Sequence, residues 1–529
     1  DTKVEIGTIH LKLFDVVRVT DVVMYDQHGA KMFVANELRV GVMDITLLQW
    51  LEGADTPKEI GARTVTLKDG LVNLYVAKQD STLNLNFLTK KEDKDTTAGP
   101  ILGFDFPEVV VQNVQFNYVD STLPDTALAV DSFQLNYKNL SFEDIDLRTS
   151  FSMNKAGKLD VNLRHLQATE PKAGMNLRHL SVELSAYMDS TSQIGPLPER
   201  TRGVLFKDFR LSLNRTNVNL DLNMRSEYMS TLFLPDRNRK FTLKARPSII
   251  DPKLITLFAP MELPPLDMFG LEGNLAGDYQ NIGSRRLQIG YGQKTRLNID
   301  ELIATDYTQP DKLFARVDID PSYIHMSDIA PFLPNDSLRQ QLGNLDHIAI
   351  KGKAVGDTED MLANLEISTA AGALKTETKV FNLNDMDEIK YKGKLAAVDV
   401  NIDTILGGNI SKSISTTLEF VGQGVNPETM RADFNLRLYP SQLAGYQIDS
   451  AQGELTFKRG EILGELAITD EQGSFDGNID VLLSDSLNKY QAFGDVQRLN
   501  LHHYGVTEDT LKLSSILNVN LEGDSLDAL

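Results

Sequence analysis

Histidine is the first place to look for chemistry. The pentapeptide NLRHL occurs twice, at 162–166 and 176–180. Adjacent hairpin strands would bring His165 and His179 together as the start of a metal site, but no third ligand presents itself. Duplicated strand sequence with polar residues facing water is the better reading, and no metal is expected. His502 and His503 are neighbours; in a strand they point to opposite faces, and in a helix they diverge by about 100°, so they chelate poorly. Gly290-Tyr291-Gly292 begins a G-x-G but lacks the third glycine and the strand-to-helix context of a nucleotide site. A nucleophile elbow, a Walker loop, His-Glu-x-x-His and cysteine pairs are all absent from the sequence. Carboxylates are abundant but scattered over turns. The triplets Asp125-Thr126-Ala127, Asp336-Ser337-Leu338 and Asp524-Ser525-Leu526 are similar to an O-glycosylation signal of some periplasmic proteins, yet fit hairpin turns better. The chain reads as no enzyme and calls for no cofactor.

Composition narrows the partners. With 53 Lys+Arg against 74 Asp+Glu, the net charge of −21 repels phosphate backbones and excludes nucleic acid as a natural partner. An anionic membrane surface is an equally poor docking target for the body as a whole. Absence of cysteine fits an oxidising compartment, weakly. No stretch approaches the roughly 20 apolar residues of a membrane-spanning helix. The sequence begins without Met and stops at Leu529 after a strand-like segment, as a fragment with its anchor and C-terminal part elsewhere would.

The elements are mostly strands. Leu83, Leu85 and Phe87 alternate with Asn84 and Asn86; Val114, Phe116 and Tyr118 alternate with Gln115 and Asn117. The pattern is cleanest at 217–224, where Val218, Leu220, Leu222 and Met224 face one way and Asn217, Asn219, Asp221 and Asn223 the other. Phe434, Leu436 and Leu438 repeat it. Short helices are expected at 44–51 (capped by Asp44 and carrying Trp50 as a core anchor), 251–258, 327–333, 403–406 and 499–504. The charged run 90–99 reads as a solvated loop.

An alternating strand, a short helix and a second strand recur at 391–424, and again from Phe241, Leu313 and Phe493. The closing strands carry Gly273, Gly352, Gly422 and Gly523, at intervals of 79, 70 and 101 residues. An irregular repeat implies stacked rungs with insertions rather than a globular enzyme. A soft boundary near Lys240 separates a β-rich N-terminal region with one helix, 1–240, from a repeat array, 241–529, that continues the same groove. Roughly 35 strand candidates side by side would make a sheet on the order of 170 Å long. Such a sheet must curl, and five short helices cannot cover its apolar face. The expected class is all-β, β-rich with short helices: an elongated curved sheet with a taco-like open groove built of irregular repeats.

The opening VEIGTIHLKLFDVVRVTDVVMYDQHGAKMFVANELRVGVMDITLLQWLEG resembles the segment after the signal anchor in TamB proteins of the AsmA-like superfamily. The repeat units, with their L-x-G-x-x-x-G or L-E-G closing strands, and the hairpin YQIDSAQGELTFKRGEILGELAITDEQGSFDG at 446–477 are similar to the same family. The chain departs from it in lacking the hydrophobic N-terminal anchor and the C-terminal β-domain that contacts a BamA-like outer-membrane barrel. The resemblance implies a periplasmic protein anchored in the inner membrane. Its apolar groove would carry phospholipid acyl chains toward the outer membrane and support outer-membrane biogenesis.

Two functions follow. A lipid conduit would use the face of the sheet, lined by Leu83, Leu85, Phe87, Val114, Phe116, Tyr118, Val218, Leu220, Leu222, Met224, Phe434, Leu436 and Leu438. Each buried CH₂ is worth ~0.8 kcal/mol without directional bonds, so a chain could slide. An assembly scaffold would instead use exposed strand edges to capture outer-membrane β-barrel or autotransporter strands. A carbohydrate-active or adhesive solenoid would need aromatic platforms, which 7% aromatics and one Trp do not supply.

Overall fold

The computed structural model describes residues 3–12, 16–42, 59–79, 81–86, 103–129, 133–154, 158–187, 204–225, 240–259, 261, 263–264, 266–333, 339, 342–385, 388–406, 411–426, 428–443, 445–482, 488–503 and 507–523. The expected helix at 44–51 with Trp50, the loop at 90–99 and Phe87 lie outside these residues. The protein is all-β, and it divides into two compact units, Asp1–Tyr279 and Gln280–Leu529. Lys240, where a boundary was expected, starts a strand inside the first unit.

The first unit contains β1 (Val4–Glu5), β2 (Thr8–Lys12), β3 (Val16–Tyr25), β4 (Lys31–Val42), β5 (Glu59–Val76), β6 (Gly103–Asp120), β7 (Asn139–Met153), β8 (Lys158–Glu170), β9 (Met175–Tyr187), β10 (Val204–Leu213), β11 (Thr216–Arg225), β12 (Lys240–Ile250) and β13 (Phe269–Asp278). Neighbours in sequence pair in space and run antiparallel, except that β5 and β6 are parallel and β1 and β2 share β3. The strands thus form an open sheet in chain order.

The second unit contains β14 (Ile282–Tyr291), β15 (Thr295–Thr305), β16 (Phe314–His325), β17 (His347–Asp357), β18 (Asp360–Thr369), β19 (Gly372–Phe381), β20 (Lys390–Val400), β21 (Ile414–Gln423), β22 (Arg431–Leu438), β23 (Ser441–Leu443), β24 (Tyr446–Ile448), β25 (Ser450–Lys458), β26 (Glu461–Asp470), β27 (Gly473–Leu482), β28 (Asn488–Asn500) and β29 (Lys512–Gly523). It is an antiparallel meander, with β23 and β24 set aside as a small hairpin between β22 and β25.

Among the described residues three short α-helices interrupt the strands: α1 (Lys253–Phe258), α2 (Met326–Ile329, extended by a 3-10 turn at Ala330–Phe332) and α3 (Ile402–Leu406). In the second unit β16 and β20 run the same way, so α2 and α3 leave from the same end of the sheet, as the β23–β24 hairpin does. Helices this short need tertiary packing. Leu254 and Leu257 of α1 pack on Met175, Leu177 and Leu213, and Met326 and Ile329 of α2 on Leu345, Ile324 and Ile348. Of the helix expected at 499–504, the described residues 499–503 are not helical. Leu499 and Asn500 finish β28, and 501–503 is a turn, held in part by His502 Nδ1 against Thr507 O at 3.0 Å.

The repeat is real, but its mark is a β-bulge rather than the closing glycine. The hairpins β12–β13, β16–β17, β20–β21 and β28–β29 slip register between Ala245 and Ser248, Ile319 and Ser322, Ala397 and Val400, and Val496 and Leu499. Gly273 and Gly352 sit opposite the bulge, at Ala245 and Ile319, whereas Gly422 and Gly523 lie at the far end of their strands, opposite Tyr391 and Asn488. A bulge frees a ladder amide, which needs a new acceptor. Ser248 Oγ accepts from Asn219 N at 2.9 Å, Ser322 Oγ from Asn298 N at 2.8 Å and Ser441 Oγ from Ser415 N at 3.0 Å. Each follows a proline (Pro247, Pro321, Pro440), and each is at most 5% exposed. Thr216 and Thr295 add a second latch, accepting from Asp251 N and His325 N, both at 3.0 Å.

Candidate functional site

The second unit is amphipathic across its strands. Register places Leu365, Thr376, Leu395, Leu418 and Leu436 in one row. Ala363, Thr378, Gly393, Phe420, Phe434 and Leu455 form the next. Two flanking rows pass through Ala397 and Tyr391. Followed from β17 to β29, omitting β23 and β24, none of the four rows contains Asp, Glu, Lys, Arg or His. The alternate residues carry the charge: Lys351, Glu366 and Lys375 in one row, Glu377, Lys394 and Glu419 in another.

Those apolar side chains are half-buried, not buried: Leu365, Leu395, Leu418, Phe420, Phe434, Leu436, Leu455 and Leu466 all keep part of their surface open. In a sandwich, facing residues of two sheets interdigitate into a closed core. Here the buried cluster of this unit lies at the α2 end, around Met326, Leu345 and Ala371. Two clefts, of about 970 and 1220 Å³, are lined by charged side chains, including Lys351, Glu366, Glu377, Lys394 and Glu419, together with row residues such as Leu395, Leu418, Phe420 and Phe434. The surface that the row side chains keep leaves the apolar rows open.

The first unit has matching rows. Phe106, Phe151, Val161, Leu184, Phe206, Leu222, Leu243 and Leu275 align across β6 to β13. Phe104, Met153, Leu159, Ala186, Val204, Met224 and Phe241 form the next row. Ring centroids of Phe106 and Phe151 are 4.9 Å apart. Among the expected lining residues, Leu222 and Met224 lie in these rows, Leu220 pairs with Ala245, and Val218 is buried. Val114, Phe116 and Tyr118 lie on β6 opposite Ile145, Phe142 and Leu140. Phe434 and Leu436 lie in the second unit's rows, and Leu438, also in a row, is buried. Leu83 and Leu85 do not stand in the alternating strand expected of them. Leu83 makes a single bridge to Val76 and Leu85 sits in a turn, because Asn84 between them is fully buried and consumed by other bonds. Asn84 accepts from Tyr75 N at 3.1 Å and donates to Asp26 Oδ2 at 3.2 Å and Asn73 O at 3.1 Å.

Asp26 is the hub of that lock: it also accepts from Tyr75 Oη at 2.7 Å and from His28 N and Ala30 N at 2.9 Å. Burial alone would raise its pKa. The bonds from Tyr75, Ala30, Asn84 and His28 outweigh burial and hold the carboxyl below its ordinary value.

His165 and His179 do meet, Nδ1 to Nδ1 at 3.0 Å, with His179 Nε2 against Ser181 Oγ at 3.0 Å. Burial, then the neighbouring His165 and Arg210, push the His179 pKa down. Among the described residues no three His, Cys, Asp or Glu side chains come together as a metal site. Asp125-Thr126-Ala127 is a turn, as expected; the other two triplets lie outside the described residues. No helix among the described residues is long and apolar enough to cross a membrane.

Both units thus define the same class of surface, a one-sided amphipathic β-meander with an open apolar face. Comparison with protein-family models, curated proteins and solved structures finds no match.

Proposed function

We propose that the open apolar face carries phospholipid acyl chains, in a periplasmic bridge of the TamB kind between inner and outer membrane. The observation behind this reading is the run of four charge-free rows across eleven strands of the second unit, with the leucines and phenylalanines of the two central rows half-buried. At ~4.8 Å per strand such a row follows roughly 50 Å of sheet. One bilayer leaflet is about 15 Å of hydrocarbon, so several acyl chains fit in succession. A charge anywhere along the path would stall them, and there is none. Solvent extraction and native mass spectrometry of the purified protein test this reading. Co-purifying phospholipid supports it; a lipid-free protein that also takes up no phospholipid from vesicles sinks it.

A second reading is edge capture, in which an exposed strand edge adds a strand from an outer-membrane β-barrel or autotransporter client. Ile516 on β29 is 67% exposed. Site-specific crosslinking from Ile516 to a β-barrel peptide separates the two: edge capture requires it, and face transport does not.

A further inference from the structure

At the end of the second unit's strands opposite α2 and α3, Lys390, Lys392, Arg431 and Lys458 converge on a cleft of about 460 Å³. Register brings them there. Lys390 opens β20 opposite Gln423, Gln423 faces Arg431, and Arg431 faces Lys458, with Lys392 two residues along β20.

Elsewhere on this charged face lysines are matched across strands. Lys351 and Lys375 hold Glu366 at 2.6 and 2.9 Å, Lys379 reaches Asp360 at 2.7 Å, and Lys394 reaches Glu419 at 2.6 Å. Among the described residues none of the four cleft cations makes an ion pair. The nearby acids are engaged otherwise or stand off. Asp433, the one carboxylate in the cleft lining, accepts from Thr456 Oγ1 at 2.7 Å, Glu388 accepts from Gln423 Nε2 at 2.9 Å, and Glu461 lies opposite Lys458 without closing on it, so the cations outnumber the acid in the lining by four to one.

In a chain of net charge −21, four unmatched cations in one cleft are out of character. Like charges so placed repel one another until a multivalent anion enters. The chemistry is that of a phosphate: Arg431 offers a planar fork for two oxygens, and the lysines add compact point charges around it. We propose that this strand-end cleft is a binding site for a phosphate-type oxyanion, supplied by a lipid headgroup or by free phosphate. It does not rest on the acyl-chain reading, since phosphate can bind here whether or not the apolar face carries lipid.

Two probes test it: inorganic phosphate followed by ³¹P NMR, and flotation with phosphatidylcholine vesicles with or without phosphatidylglycerol. The wild type should bind at least one probe, more weakly as salt rises. The K392Q/R431Q variant should lose roughly 25-fold, about five-fold for each cation removed, and K390Q/K458Q should repeat the loss. K351Q/K375Q, on the same face but already committed to Glu366, should stay within about two-fold of wild type, since exposed pairs contribute little. Circular dichroism checks that each variant folds. Vesicle binding that needs phosphatidylglycerol identifies a headgroup site, and binding of inorganic phosphate alone identifies a free-anion site. No binding of either probe, or equal binding by the wild type and both cleft variants, overturns the proposal.

Discussion

The two units use the same alternating strand to different ends. The first has strands of up to 18 residues, one parallel pair, and rows rich in phenylalanine. It closes part of its apolar face: Leu135, Ala173, Met175, Leu177, Leu213 and Leu257 form a buried cluster with α1 seated on it. The second has a regular antiparallel meander whose rows mix leucine with glycine and threonine. Its glycines are structural. A Cβ on Gly464 would lie 2.0 Å from Glu454 O, and one on Gly477 2.3 Å from Phe493 O. Strands come too close there for any side chain, so glycine is required at these positions. Burial around α1 seals part of the first unit's face, while the second unit's buried cluster stays at its α2 end and its central rows remain open, although both began as the same pattern of apolar and polar residues.

Introducing a charge should separate the two regimes most sharply. Leu177 is 6% exposed inside the first unit's cluster, so Leu177→Asp leaves a carboxylate with no escape and should cost about 3–5 kcal/mol, enough to lose soluble protein. Leu436 is half-buried on an open row. Leu436→Lys should fold, with a melting temperature lowered by only a few degrees, and should strip co-purifying lipid. If Leu436→Lys unfolds like Leu177→Asp, the second unit is a closed core and the contrast between the units disappears. If it folds and keeps its lipid, this face does not carry lipid and the strand edge becomes the better reading.

The Asp26 lock belongs to the first unit alone. Asp26→Asn replaces a charged acceptor of four hydrogen bonds and should cost about 1.5–3 kcal/mol. The pH dependence has a definite sign. The folded carboxyl pKa lies below the unfolded value, so its contribution is complete above the ordinary aspartate value of 3.8 and is lost as pH falls toward the folded pKa. Urea midpoints between pH 6 and about 3 should fall more steeply in wild type than in Asp26→Asn. Parallel slopes would show that the lock is not what acid breaks.

The bulge latches are smaller and occur in both units. Ser248→Ala and Ser322→Ala each orphan one strand amide and should cost about 1–2 kcal/mol, to be read as shifts of the urea midpoint. Similar losses would mark the latch as a shared repeat device; a loss confined to Ser248 would tie it to the first unit's packed α1.

Alternation of period two made the strands legible, because that periodicity is the physical requirement of a half-buried face. It placed Leu222, Met224, Phe434 and Leu436 on apolar rows without any knowledge of partners. It misled at Leu83–Phe87, where Asn84 alternates like a surface residue but is a buried hydrogen-bonding hub. Such a role depends on Asp26, 58 residues away, and leaves no local trace. The helix expected at 499–504 failed over its described residues for a related reason: Leu499 finishes a strand and Leu501 lies in the turn after it. The latches were legible and missed. Thr216-x-x-Asn219 with Pro247-Ser248, and Thr295-x-x-Asn298 with Pro321-Ser322, recur as phrases that the search for closing glycines passed over. The basic cleft was hidden because Lys390, Gln423, Arg431 and Lys458 come from four strands and meet only through register.

The smallest effect concerns the charged face of the second unit, opposite the apolar rows. Glu366 is flanked by Lys351 and Lys375, whose hydrogen bonds and charge lower its pKa to about 2. The depressed value means that whatever stability the triad adds is present above the ordinary glutamate value of 4.5 and disappears as pH falls toward 2. The carboxylate is open to water, so screening keeps that contribution slight, and Glu366→Gln should leave the urea midpoint nearly unchanged at pH 7. The titration itself should be plain: a side-chain carboxyl NMR resonance of Glu366 that stays ionised at pH 3, where exposed unpaired glutamates are protonated. In Lys351→Gln the pKa should rise part of the way back to 4.5, and in K351Q/K375Q most of it. If Glu366 titrates in the ordinary glutamate range, near 4.5, its lysines are not committed to it, and the matched ladder that sets the unpaired cleft cations apart does not exist in solution.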